Sequence, residues 1–164
     1  MEGLLGERQR EYAESIAYHF QNSDTPERSV PYLLIAGKKA IERYALAEAE
    51  TYYRSAYDIL QGQPESTERD HDLLEAIVEW SLLHYYTADI RAFSRLMEEH
   101  AQLLETVSDP ELRGMWLVWH CFVAYCLMKL DDSVAAADRA IAIAEASGSA
   151  RILAYAHTHR GHGH

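Results

Sequence analysis

Over most of the chain large apolar residues recur three and four apart, with small residues on the same faces. The stretch Tyr32 to Leu60, YLLIAGKKAIERYALAEAETYYRSAYDIL, shows the pattern most clearly. Leu33 is followed by Ala36, Gly37 and Ala40, which share one face of a helix, and Ala49, Tyr53 and Ala56 share one face of the next. Gly37 and Ala49 stand twelve residues apart. Two neighbouring helices approach closely only where the side chains between them are nearly absent, so this pair predicts a tight helical hairpin, with Tyr53 filling the space beside the contact.

The same spacing returns further along. From Asp70, the residues Ile77, Trp80, Ser81 and His84 take the places of Leu33, Ala36, Gly37 and Ala40, and Phe93, Met97 and His100 those of Ala49, Tyr53 and Ala56. Ser81 and Phe93 are again twelve apart. A third copy follows Asp109-Pro110, with His120, Val123, Ala124 and Leu127, then Ala136, Ala140 and Ile143. Ala49 to Phe93 is 44 residues and Phe93 to Ala136 is 43. The third register is ambiguous, because SVAAADRAIAIA is so rich in alanine that a shift of three fits as well.

Boundary signals complete the element reading. Glu7 to Gln21 places Tyr12, Ile16 and Phe20 four apart, with Ala13 and Ala17 beside them, on a charged helix. Asn22 to Thr25 supplies turn and cap side chains before Pro26, predicting a helix from Pro26 to Tyr44 that Pro31 either kinks or delays. A third helix spans Leu46 to Gln61. The segment QGQPESTERD reads as the longest connection, with Ser66 or Thr67 capping the helix after it. Asp131-Asp132-Ser133 reads as a cap for a helix ending at Gly148, and Ala150 to Arg160 as the first helix of a further pair.

These positions match the tetratricopeptide repeat pattern W-x2-L-G-x2-Y then A-x3-F. Leu33, Ala36, Gly37 and Ala40 match its first helix, and Ala49, Tyr53 and Ala56 its second. The chain departs in lacking the leading aromatic and the closing proline, where Gln61 stands, and in a period longer than the standard 34. Over His19 to Leu60 it resembles the tetratricopeptide region of large bacterial signalling proteins, which carry a nucleotide-cyclase or DNA-binding output domain and an ATPase module. The resemblance implies an all-α fold, a right-handed superhelical solenoid of seven to eight helices in antiparallel pairs. It divides a single domain, 1–164, into an N-terminal helix and the start of a second (1–31), repeats at 32–61, 70–107 and 110–147, and a truncated repeat (150–164). A first helix without its partner leaves an apolar face uncovered, which predicts a piece of a longer protein or pairing with a second copy.

Composition narrows the function classes. The 164 residues are 48% hydrophobic, with only eight glycines and four prolines, which favours helices over a many-stranded fold. Twenty-six acidic against fifteen basic side chains give a net charge of -11, which repels phosphate backbones and anionic lipid. Neither nucleic acid nor membrane is an expected partner. Cys121 and Cys126 lie five apart in one helix and do not face each other, so reduced, buried thiols in a cytoplasmic protein are expected. Met115 to Leu130 is the most apolar run, yet it contains His120 and Lys129.

No phosphate loop, nucleophile elbow or HExxH motif occurs, so no catalytic, cofactor or metal residue is assigned and no enzyme is expected. His157, His159, His162 and His164 cluster at the tail but offer no rigid two-ligand face. His84, His100 and His120 read as packed core histidines. In a stacked array the first helix of each repeat lines a concave side, placing Lys38, Glu75, Glu79 and Leu82 near a groove, along with Tyr85, Cys121, Phe122, Tyr125 and Met128. Gly37, Ala49, Tyr53, Ala56, Ser81, Phe93, Ala124 and Ala136 define the packing. The leading expectation is a regulatory scaffold binding a protein, a peptide or linked domains of its own polypeptide. The alternatives are a small-molecule sensor built from Trp80, His84, Trp116, Trp119 and Tyr125, and a homodimerisation module that uses the incomplete terminal repeat.

Overall fold

The computed structural model describes residues 10–160, and among these residues every regular element is a helix and no strand occurs. The helices are α1 (Ala13–Gln21), α2 (Val30–Glu42), α3 (Leu46–Gln61), α4 (Thr67–Thr87), α5 (Ile90–Glu99), α6 (Leu103–Thr106), α7 (Pro110–Cys126), α8 (Leu130–Ser147) and α9 (Ala150–Arg160), with a 3₁₀ turn at Pro26–Ser29. That is nine α-helices among the described residues, more than the seven to eight expected. The chain divides into two compact units, Met1–Leu83 and His84–His164, the division falling inside α4.

In the first unit, α1 packs on α2 through Ala13 and Ala17, both buried. The expected apolar stripe is not its inner face, since Tyr12 is exposed and Ile16 and Phe20 are only half-buried. Alanines admit the closer helix approach, while Phe20 stacks on Tyr32 at 6.0 Å beneath the Arg28 guanidinium. A half-buried ion pair of 2.7 Å joins Glu14 on α1 to Lys39 on α2. Partial burial pushes the Glu14 carboxyl up, but the Lys39 hydrogen bond and the charges of Lys39 and Arg43 outweigh it and hold its pKa below the ordinary value. Pro31 delays α2: residues 26–29 form the 3₁₀ turn, and the α-helix begins at Val30 with the proline in its first turn.

Helices α2 and α3 make the tight pair that the small residues predict. A methyl group added at Gly37 would sit 2.8 Å from Cε2 and Cζ and 3.0 Å from Cε1 of Tyr53, which places the aromatic face directly over the glycine. Ala49, Tyr53 and Ala56 are all buried. Trp80 on α4 lies nearly parallel to the Tyr53 ring, with centroids 6.5 Å apart, and donates its indole N–H to Glu50 at 3.0 Å. Arg69 anchors the start of α4 by donating to the Leu60 carbonyl at 3.1 Å. Ser66 caps that start by accepting from the Arg69 amide at 3.1 Å.

The second unit begins at His84, whose ring stacks on Phe93 at 5.0 Å. The second helix expected within 70–107 is broken. It stops at Glu99, where the His100 amide donates to Met97, and a turn leads to the single-turn α6. Asp109 caps α7 by accepting from the Glu111 and Leu112 amides at 2.8 and 3.1 Å. Asp131-Asp132-Ser133 does not cap α8. That helix already starts at Leu130, and the buried Ser133 hydroxyl turns inward to the Cys121 carbonyl at 3.0 Å. Gly148 ends α8 with φ +74, as a C′ glycine should. Helix α9 packs on both α7 and α8, burying Ile152 and Ala156, so the apolar face expected to be left uncovered is covered within the chain.

One backbone device recurs. Tyr44, Ala88 and Met128 are non-glycine residues with φ of 58, 54 and 61°. Each is followed by a residue with φ and ψ near -85° and 64°, namely Ala45 (-83, 64), Asp89 (-85, 60) and Lys129 (-88, 67), and then by the first residue of the next helix. In the first and third links the amide after the left-handed residue donates five residues back, Ala45 to Ala40 and Lys129 to Ala124, both at 2.9 Å. This bond closes the Schellman form of helix end.

Counting back seven residues from each left-handed position gives Gly37, Ser81 and Cys121, and counting forward five gives Ala49, Phe93 and Ser133. The third register is therefore the shifted one. Cys121 and Ser133, hydrogen-bonded to each other and twelve apart, hold the places given to Ala124 and Ala136, although both alanines are also buried. Cys121 accordingly belongs to the core and not to a groove. Cys126 is exposed, against expectation.

Candidate functional site

In the first unit one stripe of α2 faces a groove. Val30, Pro31, Leu34, Ile35 and Lys38 line it, and Asp72, Glu75 and Glu79 of α4 form its facing wall. The helical period puts 30, 31, 34, 35 and 38 on one face and 72, 75 and 79 on another, so each wall is a single stripe. The groove holds about 310 Å³. Val30 and Leu34 are buried at its floor, Ile35 is half-buried, and Lys38 stands exposed. Three carboxylates against one amine make its walls net acidic. Burial, reinforced by Glu79 of this wall and by Glu42, pushes the Tyr53 phenol well above the ordinary tyrosine range.

Lys38, Glu75 and Glu79 are thus brought together by one groove, while Asp72 and the α2 floor were not among the residues singled out from sequence. The acidic stripe at 72, 75 and 79 was legible as a helical face. The floor was not, because Val30 to Ile35 reads equally well as core.

Leu82, near the end of the first unit, is exposed. In the second unit Tyr85 is half exposed and meets Phe122 at 5.5 Å and Tyr86 at 5.6 Å. Trp119 contacts both Phe122 and the buried Phe93, so a run of rings leads from the core to the Tyr85 surface. Tyr125, three residues along α7 from Phe122, is partly exposed, and Met128 is 76% exposed at its left-handed position.

The residues suggested for a sensor pocket are mostly spent on packing. Trp80 and Trp116 are 4% and 2% exposed, His84 stacks on Phe93, and none of the five lines the groove. His120 is half-buried. Burial lowers its pKa from the ordinary histidine value, with Arg139 and Lys129 pushing the same way and Asp132 and Glu98 opposing. Of the tail histidines, His157 is exposed, the side chain of His159 is not described, and His162 and His164 lie outside the described residues.

One grouping was missed by the sequence reading. Side-chain ligand atoms of His71, Asp72 and Glu75 all lie within 4.8 Å of one another, where α4 forms the acidic wall. The signal was present as a histidine and a glutamate four apart with an aspartate beside them, a spacing that shares a helix face. Among the described residues no helix is long and apolar enough to cross a membrane. No family model matches this chain, and no curated protein or solved structure matches it.

Proposed function

We propose that this chain is a non-enzymatic interaction module of the tetratricopeptide-like kind, whose helix pairs stack as a short solenoid and whose first-unit groove receives a cationic, partly apolar segment of a partner protein. The groove carries the reading. It offers an apolar floor for an anchor side chain and three carboxylates, Asp72, Glu75 and Glu79, for basic groups beside it. The repeated link at Tyr44, Ala88 and Met128 supports the stacked-pair architecture, because one turn geometry used at matching places in three helix pairs is what a repeat produces. The Tyr85 and Phe122 rings offer a further anchor surface in the second unit. A role in a larger bacterial signalling protein rests on the resemblance alone.

The sensor reading is less favoured because its tryptophans at 80 and 116 are buried in packing. Dimerisation through the last helix is less favoured because Ile152 and Ala156 are already covered. The groove reading is tested by fluorescence anisotropy with labelled twelve-residue peptides that carry leucine with arginine, or leucine with glutamate. The arginine peptide should bind in a salt-sensitive manner, the glutamate peptide should not, and Glu79→Lys together with Ile35→Glu should abolish capture. Equal binding of both peptides, or capture unaffected by the two substitutions, overturns the reading.

A further inference from the structure

We infer that His71, Asp72 and Glu75 form a binding site for a divalent first-row transition cation of the zinc class, set on α4 at the acidic wall of the groove. This goes beyond the interaction reading and does not depend on it. The three side chains project from little more than one helical turn, so their backbone spacing is fixed before any ion arrives. His71 Nδ1 and Asp72 Oδ1 are 3.3 Å apart. Two ligand atoms at that separation, each about 2.1 Å from a shared ion, subtend about 104° at it, close to the tetrahedral angle.

Glu75 follows His71 by four residues and Asp72 by three, which brings its carboxylate to the same side of the helix. All three ligand atoms already lie within 4.8 Å of one another, and rotation about the glutamate side-chain torsions closes a remaining gap of at most about 1.5 Å. One imidazole nitrogen with two carboxylates selects zinc, cobalt or nickel over calcium and magnesium, which prefer all-oxygen shells. Three protein ligands leave at least one coordination position open. Asp72 and Glu75 also line the groove, so that position is accessible to water or to a donor atom of whatever enters.

The competing source of metal affinity is the tail, so the experiment removes it first. The full chain carrying asparagine for His157, His159, His162 and His164 is titrated with zinc chloride by calorimetry and with cobalt chloride by visible absorption. One equivalent should bind, the cobalt form should show the intense visible bands of a four-coordinate ion, and His71→Asn or Glu75→Gln should each weaken binding by about tenfold or more. The His71 side chain is 42% exposed and Glu75 is not buried, so the variants should keep the parent circular-dichroism melting curve. Loss of all binding with the tail histidines, or one equivalent retained undiminished by both His71→Asn and Glu75→Gln, overturns the assignment. Because His71 does not line the groove and Glu79 is not a ligand, failure of this site and failure of the peptide reading are separately visible.

Discussion

Replacing Gly37 with alanine isolates the contact on which the first helix pair is built. The added methyl would lie 2.8 to 3.0 Å from three atoms of the Tyr53 ring, nearer than carbon atoms pack. The ring has little room to move. Tyr53 is 1% exposed, Trp80 lies nearly parallel to it with centroids 6.5 Å apart, and Trp80 is itself held by its bond to Glu50 and by the Arg54 guanidinium 5.5 Å from its ring centre. Overfilling a packed core costs about 1–3 kcal/mol. The same change gains about 1 kcal/mol of helix propensity. The net loss is therefore about 1 kcal/mol, and with a urea m-value of about 2 kcal/mol per molar the midpoint should fall by about 0.5 M.

A double-mutant cycle with Tyr53→Leu separates the two terms, since shortening the aromatic side chain removes the clash and leaves the propensity gain. In the Tyr53→Leu background, Gly37→Ala should be neutral or stabilising, giving a coupling energy of about 1–2 kcal/mol. Urea unfolding followed by far-ultraviolet circular dichroism measures all four proteins. If Gly37→Ala raises the midpoint with Tyr53 present, or acts equally in both backgrounds, the glycine is not there to admit the ring.

Gly114→Ala should destabilise the second unit in the same way and by about 1–2 kcal/mol, because the methyl would meet Cγ1 and Cγ2 of the fully buried Ile152 at 3.0 and 3.1 Å and Cδ1 closer still; thermal melting of Gly114→Ala against Gly114→Ala/Ile152→Val checks it, the second change restoring part of the loss. His120 predicts an acid-side loss of stability. Its folded pKa lies below the unfolded value of about 6.5, so the unfolded chain takes up the proton first as pH falls through 6.5, and the stabilisation present above that pH is lost on the way down to the folded pKa. His120→Gln should therefore lose less stability than the parent between about pH 7 and 5 in urea titrations; identical pH slopes would remove His120 as the cause.

The parts of this fold that the sequence made legible are those in which a side chain decides the geometry alone. Gly37 and Ala49 announced the close pair because only absent bulk permits it. Asp109-Pro110 and Gly148 announced their helix ends because a carboxylate cap and a left-handed glycine are local devices. The links were illegible for the converse reason. Tyr44, Ala88 and Met128 adopt a conformation for which glycine is the usual signal, and three residues with no common chemistry occupy it. No shared side-chain chemistry marks the turn, so it leaves no trace in composition.

That absence explains the ambiguity of the third register and shows how to resolve it. In an alanine-rich helix such as α8, Ala136, Ala137 and Ala140 are all buried, so small size stops discriminating between faces. What discriminates there is polarity. Ser133 is buried, and a buried hydroxyl must find a partner, which the Cys121 carbonyl supplies across the pair. A serine or cysteine flanked by alanines therefore fixes the pairing more firmly than the alanines do. The groove obeys the same logic with opposite sign. Carboxylates repeated along one helix face at 72, 75 and 79 gain nothing from one another, since each raises the cost of the next. A positive charge set among them offsets that repulsion, whether the Lys38 amine that shares the groove, a partner's basic side chain, or a cation held with His71.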